Sequence, residues 1–133
     1  MPARVLRLVC FLACLAITLP VVAQEGHPLK GSWLGDWGAT RDRRNTVVVV
    51  LDWDGKNITG AINPGPDAVP LTKASLEPKG WVVHFEADGK DRTGKAVHYV
   101  IDGKIENLGL YNRSIIGTWT EGATKGDFKI TRQ

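Results

Sequence analysis

Apolar and polar residues alternate along most of the chain from Thr46 onward, and residues that favour turns interrupt the alternation roughly every 8 to 15 positions. Successive side chains of a strand point to opposite faces, so this pattern predicts strands that bury one face. The sequence therefore predicts an all-β fold. The eight predicted strands span residues 31–37, 46–53, 57–62, 69–76, 81–87, 96–106, 114–120 and 128–131.

Consecutive strands can be paired so that apolar residues face apolar residues, for example across a two-residue turn at Asp54-Gly55. A slip of one residue would turn each apolar set to the opposite face, so the repeated agreement supports a series of antiparallel hairpins. The predicted cross-strand pairs are Leu51 with Ile58, Phe85 with Val97, Ile105 with Ile115, Ile101 with Trp119, and Trp119 with Phe128.

Glycines recur on the predicted inward face beside bulky aromatic residues. Small residues in that position suit a sheet that curls tightly, so we expect an eight-stranded antiparallel up-and-down barrel that forms a single domain, residues 31–133. The predicted interior consists of Trp33, Trp37, Val47, Val49, Leu51, Trp53, Ile58, Ile62, Trp81, Val83, Phe85, Val97, Tyr99, Ile101, Ile105, Ile115, Trp119, Phe128 and Ile130.

The first 23 residues have the pattern of a cleavable signal peptide. Arg4 and Arg7 form a basic start, residues 8–22 are mainly apolar, and Ala23 ends a small-residue cleavage site. The apolar run is shorter than the ~20 residues of a membrane span. We therefore expect a secreted or periplasmic protein, with residues 24–30 as a flexible lead-in to the barrel.

The positions of the cysteines and the net charge further restrict the possible classes of function. Both cysteines, Cys10 and Cys14, lie inside the predicted signal peptide, so the domain should hold together by packing rather than by disulfides. Without Arg4 and Arg7, 15 Lys and Arg remain against 14 Asp and Glu. This near-neutral balance argues against nucleic acid as a partner.

The predicted interior offers binding surface rather than catalytic groups. Its single polar reactive group is the Tyr99 hydroxyl, and acid-base or covalent catalysis needs a positioned titratable group, so we expect a non-enzyme without a cofactor. The leading hypothesis is a small apolar or aromatic ligand in the interior; the alternative is a fully packed barrel that interacts with proteins or glycans through its surface. The predicted ligand-binding residues are Trp33, Trp37, Trp53, Trp81, Tyr99 and Trp119.

Two groups of charged residues outside the interior are further candidates. His84 and His98 fall opposite each other in the predicted register, which suggests either a metal site or, as we favour on a flat sheet face, an ordinary polar pair. Arg41, Arg43 and Arg44 lie in the first hairpin loop. They are candidate anion-binding residues, or else a solvated loop.

Some outward positions are apolar. Val82, Val100 and Ile116 lie on the outer face, where Val82 and Val100 are predicted cross-strand neighbours. We favour a contact between copies of the chain over scattered apolar surface. Asn57 and Asn112 match the glycosylation acceptor pattern.

Two short motifs resemble known barrel families. Gly31-Ser32-Trp33 resembles the start of lipocalin-type barrels, and the segment Asp54-Gly55-Lys56-Asn57-Ile58-Thr59-Gly60 is similar to a turn and strand of avidin-type barrels. The resemblance implies an eight-stranded barrel that binds one small ligand at its open end, with tryptophans lining the site in the avidin type. Ile62 stands where avidin-type barrels place a ligand-binding tyrosine, so biotin binding is not implied.

Overall fold

A computed structural model of the protein describes residues 27–133, so the predicted signal peptide and residues 24–26 lie outside the described residues. The described chain forms one closed antiparallel barrel of eight strands. This confirms the all-β fold and the strand count. The strands are β1 (Gly31–Gly38), β2 (Asn45–Trp53), β3 (Ile58–Ile62), β4 (Val69–Glu77), β5 (Val82–Lys90), β6 (Ala96–Glu106), β7 (Ser114–Glu121) and β8 (Thr124–Arg132).

Each strand pairs with the next along the chain, and β8 returns to pair with β1. Trp37 on β1 lies opposite Phe128 on β8, and Gly35 lies opposite Ile130. Because β1 and β8 pair, the sheet has no free edge. The predicted up-and-down connectivity is thus confirmed.

Three of the predicted hairpin registers, those of β2–β3, β5–β6 and β7–β8, are wrong by an even number of residues. Leu51 pairs with Gly60 instead of Ile58, because the β2–β3 turn has four residues, with Asp54 Oδ1 accepting the backbone N–H groups of Lys56 and Asn57 at 2.8 and 2.6 Å. On β5, Phe85 pairs with Ile101 rather than Val97. Even shifts leave each side chain on its predicted face.

The later hairpins give one confirmation and one correction. The β6–β7 register is as predicted, with Ile101 opposite Trp119 and Ile105 opposite Ile115. On β8, Trp119 pairs with Gly126 instead of Phe128. The Trp119 and Phe128 rings still meet edge to face, with centroids 5.7 Å apart.

The barrel interior is built from most of the predicted residues. Four of them, Trp53, Ile58, Trp81 and Val97, are only half-buried, so Trp53 and Trp81 are less enclosed than their predicted interior position implies. Trp81 precedes β5 in a turn conformation with φ of 54°. The buried members of the predicted interior are Trp33, Trp37, Val47, Val49, Leu51, Ile62, Val83, Phe85, Tyr99, Ile101, Ile105, Ile115, Trp119, Phe128 and Ile130.

Close approach of neighbouring backbones explains an inward glycine. Gly117 on β7 lies opposite Gly103 on β6. A Cβ atom at Gly117 would overlap the carbonyl oxygen of Asp102 and lie 2.6 Å from the Cα of Gly103. A side chain there would force β6 and β7 apart.

We expect Gly117→Ala to destabilise the barrel by about 1–3 kcal/mol or more, as for an overpacked core. Gly109→Ala is the matched control, because nothing lies within 4 Å of the added Cβ at that loop position. Urea unfolding followed by circular dichroism measures both. Equal midpoints for the two variants would contradict the close-approach explanation.

Candidate functional site

The two ends of the barrel are built differently. In an up-and-down barrel, alternate connections lie at the same end, so residues 39–44, 63–68, 91–95 and 122–123 form one end, here called the mouth. Residues 27–30 and the connections 54–57, 78–81 and 107–113 form the other, here called the closed end.

The segment before β1 plugs the closed end. The Leu29 side chain is fully buried in the core, and the Leu29 carbonyl accepts the Nε1–H of Trp33 at 2.8 Å. Arg113 donates from Nη1 to the carbonyl of Pro28 at 3.0 Å. This part of the predicted lead-in is therefore packed on the barrel and seals one end of the interior.

Two further tryptophans lie at the closed end. Trp53 stacks on His27 with ring centroids 4.5 Å apart. The carbonyl of Trp81 accepts the backbone N–H of Ile105 at 2.9 Å. Both residues are half-buried.

The mouth carries two clefts that are open to solvent. The smaller has a volume of about 310 Å³ and is lined by residues that include Trp37, Val97 and Glu121. The larger, of about 650 Å³, lies between the 67–69 and 89–94 segments. Both volumes reach the size range of small-molecule sites.

Trp37, which stacks on the buried Trp119, forms the aromatic floor of the smaller cleft. Trp37 is nearly parallel to Trp119, with centroids 5.8 Å apart and an interplanar angle of 14°. Tyr99 donates its hydroxyl to Glu121 at 3.1 Å, and burial raises the pKa of Tyr99 to about 12. The hydroxyl is therefore neutral and already paired. Asp91, Lys95 and Glu121 add charged groups to the lining of the cleft beside Trp37.

The structure divides the predicted ligand-binding residues between the two ends. Trp37, Tyr99 and Trp119 lie toward the mouth, whereas Trp33, Trp53 and Trp81 lie toward the closed end. Position within each strand, combined with strand direction, is a signal in the sequence that would have separated the two groups. Leu29, the residue that closes one end, was missed because it precedes the first strand.

Of the three candidate anion-binding arginines, Arg44 already has carboxylate partners. It donates to Asp127 at 2.6 Å and to Asp36 at 2.8 Å, and these hydrogen bonds raise the pKa of its guanidinium. Arg44 thereby bridges β1 and β8 beside the mouth. Arg41 and Arg43 are exposed there and stay candidates.

The two outer-face histidines form a row of alternating charges with three carboxylates. They are not opposite each other, since His84 pairs with Asp102 and His98 with Asp88. His84 reaches Asp102 from Nδ1 at 2.5 Å and Glu86 from Nε2 at 3.0 Å, and His98 reaches Asp88 at 2.7 Å and the other Glu86 oxygen at 3.0 Å. Carboxylates only accept, so this arrangement requires both imidazoles to be doubly protonated.

Protonation equilibria agree with that geometry. Hydrogen bonds to Asp102 and Glu86 raise the pKa of His84, and those to Asp88 and Glu86 raise the pKa of His98. The two histidines lower the pKa of Glu86 to about 2. Among residues 27–133, no group of three or more His, Cys, Asp or Glu is arranged to hold a metal ion.

The apolar stripe predicted on the outer face is interrupted. Val82 pairs with Lys104 and Val100 with Glu86, so the two valines are not cross-strand neighbours as predicted. Val82 is exposed, whereas Val100 and Ile116 are half-buried.

Comparison with known proteins does not assign the chain to a family. No protein-family model, curated protein or solved structure matches the chain. Its likeness to lipocalin-type and avidin-type barrels consists of the eight-stranded antiparallel architecture, which is consistent with a calycin-like fold. Within residues 27–133, no helix is long and apolar enough to cross a bilayer.

We expect Leu29→Ala to destabilise the barrel by about 2–5 kcal/mol, because it empties a fully buried position at the closed end. The matched control is Leu110→Ala, whose side chain is 58% exposed and whose loss should change stability by about 0.5 kcal/mol or less. Urea unfolding compares the two. Similar small losses would mean that Leu29 does not plug the barrel.

The histidine row should make stability depend on pH. Because the folded-state pKa values of His84 and His98 are raised, their contribution is complete below the ordinary histidine pKa of 6.5 and is lost as pH rises through the raised values. The contribution of Glu86 is complete above 4.5 and is lost as pH falls through about 2. The row should therefore stabilise the fold most between pH 4.5 and 6.5.

The double variant His84→Gln/His98→Gln should lose less free energy of unfolding than the wild type as pH rises from 6.5. His27→Gln serves as control: burial lowers the pKa of His27, so its removal should leave the wild-type loss intact or enlarge it. Urea titrations at successive pH values measure the difference. Parallel curves for the wild type and the double variant would contradict the assignment.

Proposed function

We propose that the protein is a secreted or periplasmic, non-catalytic, calycin-like barrel that binds a small apolar or aromatic ligand at its mouth. The observation that carries the proposal is the asymmetry of the two ends. Leu29 plugs the closed end, while the cleft at the mouth rests on the stacked rings of Trp37 and Trp119. A barrel with one sealed and one accessible end admits a ligand from one side.

Packing of the interior supports a site at the mouth rather than deep in the barrel. Midway along the barrel, a Cβ added at Gly103 would lie 2.9 Å from both Ile115 and Phe128, so side chains fill the space there. Eight strands enclose a volume that side chains can fill. Trp37, backed by Trp119, is therefore the floor of the proposed site, and Val97 forms part of its wall.

The alternative is a packed barrel that contacts a protein or glycan through its surface. Leu110 and Tyr111, in the loop between β6 and β7, favour it because they are 58% and 64% exposed. They lie at the closed end, away from the mouth. The two functions therefore depend on different residues and can be separated by substitution.

Binding of N-phenyl-1-naphthylamine, a neutral fluorescent probe, tests the mouth site. We expect saturable enhancement of its emission, and about tenfold weaker binding by Trp37→Ala, since removing the aromatic floor is worth about 1.4 kcal/mol. Trp81→Ala is the matched control, because it removes a half-buried tryptophan from the closed end. Circular dichroism verifies that both variants fold.

Equal weakening by the two variants would mean that the probe reports loosened packing and not the mouth. Absence of binding to the folded wild type would overturn the ligand hypothesis. In that case the surface alternative, with Leu110 and Tyr111 as its contacts, becomes the better explanation.

A further inference from the structure

The indole N–H of Trp119 is buried without a partner. Trp119 is 1% exposed, and no oxygen or nitrogen among residues 27–133 accepts its Nε1–H. The other fully buried tryptophan, Trp33, donates the same group to Leu29 at 2.8 Å. Buried donors are almost always satisfied, so the Trp119 donor requires an explanation.

Trp119 lies one ring away from solvent. Trp37 stacks on it and lines the smaller cleft at the mouth. No acceptor among residues 27–133 reaches the N–H. A molecule that enters the mouth beside Trp37 can supply one.

The environment of Trp119 restricts the chemistry of that molecule. Its cross-strand neighbours are Ile101 and Gly126, and Phe128 meets its ring edge to face. An apolar pocket with a single N–H donor cannot compensate an ionised group for its lost hydration. It can accommodate a flat apolar body that carries one neutral acceptor.

We propose that the ligand of the mouth is a neutral aromatic molecule with one hydrogen-bond acceptor, such as a carbonyl oxygen, which packs beside the Trp37 ring and accepts the Nε1–H of Trp119. This inference rests on the proposed function and adds the class of ligand. The hydrogen bond satisfies the buried donor only in the complex. Ligands that carry the acceptor are thereby selected over apolar molecules of the same shape.

Acetophenone and α-methylstyrene form a suitable probe pair, because they differ only by an oxygen in place of a CH₂ group. In ¹⁵N spectra of the wild type, both probes should shift the indole resonance of Trp37. Acetophenone alone should move the Trp119 resonance downfield, as hydrogen bonding does. The Trp119→Phe and Trp37→Phe variants assign the two resonances by their disappearance.

Affinities provide a second measurement. The ratio of the acetophenone affinity to that of α-methylstyrene should fall about threefold to tenfold from the wild type to Trp119→Phe, the net worth of one hydrogen bond. Comparing ratios cancels the different hydration of the two probes. Trp33→Phe, which removes an indole N–H at the closed end, should leave the ratio unchanged.

The outcomes separate this inference from the function it rests on. If both probes shift Trp37 but move the Trp119 resonance equally, the site exists and the proposed acceptor is wrong. If neither probe shifts Trp37, the mouth site itself is overturned, and the inference with it.

Discussion

Closure of a short sheet around large aromatic side chains is the constraint on which the rest of the structure depends. Eight strands form a narrow tube, so its backbones must approach closely wherever indole rings occupy the centre. At Gly35 and Gly117, a Cβ would overlap a carbonyl oxygen of the adjacent strand. Absence of a side chain at these points lets the sheet curl until β8 meets β1.

Closure creates two ends, and different residues determine how each end is packed. At one end, the chain before β1 turns inward, buries Leu29 and satisfies the indole of Trp33. At the other, hairpin loops surround Trp37 without an equivalent plug among the described residues. The barrel thus combines a plugged end, where the indole N–H of Trp33 is paired within the chain, with an end where the indole N–H of Trp119 has no such partner.

The sequence predicts which face each residue takes but, outside the β6–β7 hairpin, not which residues lie opposite each other. Apolar alternation has a period of two, so registers that differ by two or four residues bury the same side chains equally well. Turn chemistry decides between them. Asp54 organises a four-residue turn, and Asp91 accepts hydrogen bonds from Thr93 and Lys95 in the β5–β6 loop. Hydrogen bonds accepted by turn side chains cannot be inferred from the alternation of apolar and polar residues.

The same limitation applies to the candidate site. The tryptophans were predictable as apolar residues of the inward face, and Trp37 and Trp119 occupy it. Their division between the two ends could also have been predicted, because it follows from the direction of each strand in the predicted strand order. Leu29 lies in a segment without alternation of apolar and polar residues. Its burial at the closed end therefore could not be predicted from periodicity.

Register also determines the chemistry of the outer wall. In the predicted register, His84 and His98 face each other as an ordinary polar pair or a metal-binding pair. In the observed register, each faces an aspartate and both reach Glu86, so the row alternates in sign from Asp102 to Asp88 and binds protons. Because the row spans β5 and β6, the hairpin whose loop forms part of both clefts, one turn at Asp91 sets both the charge pattern outside and the wall of the mouth.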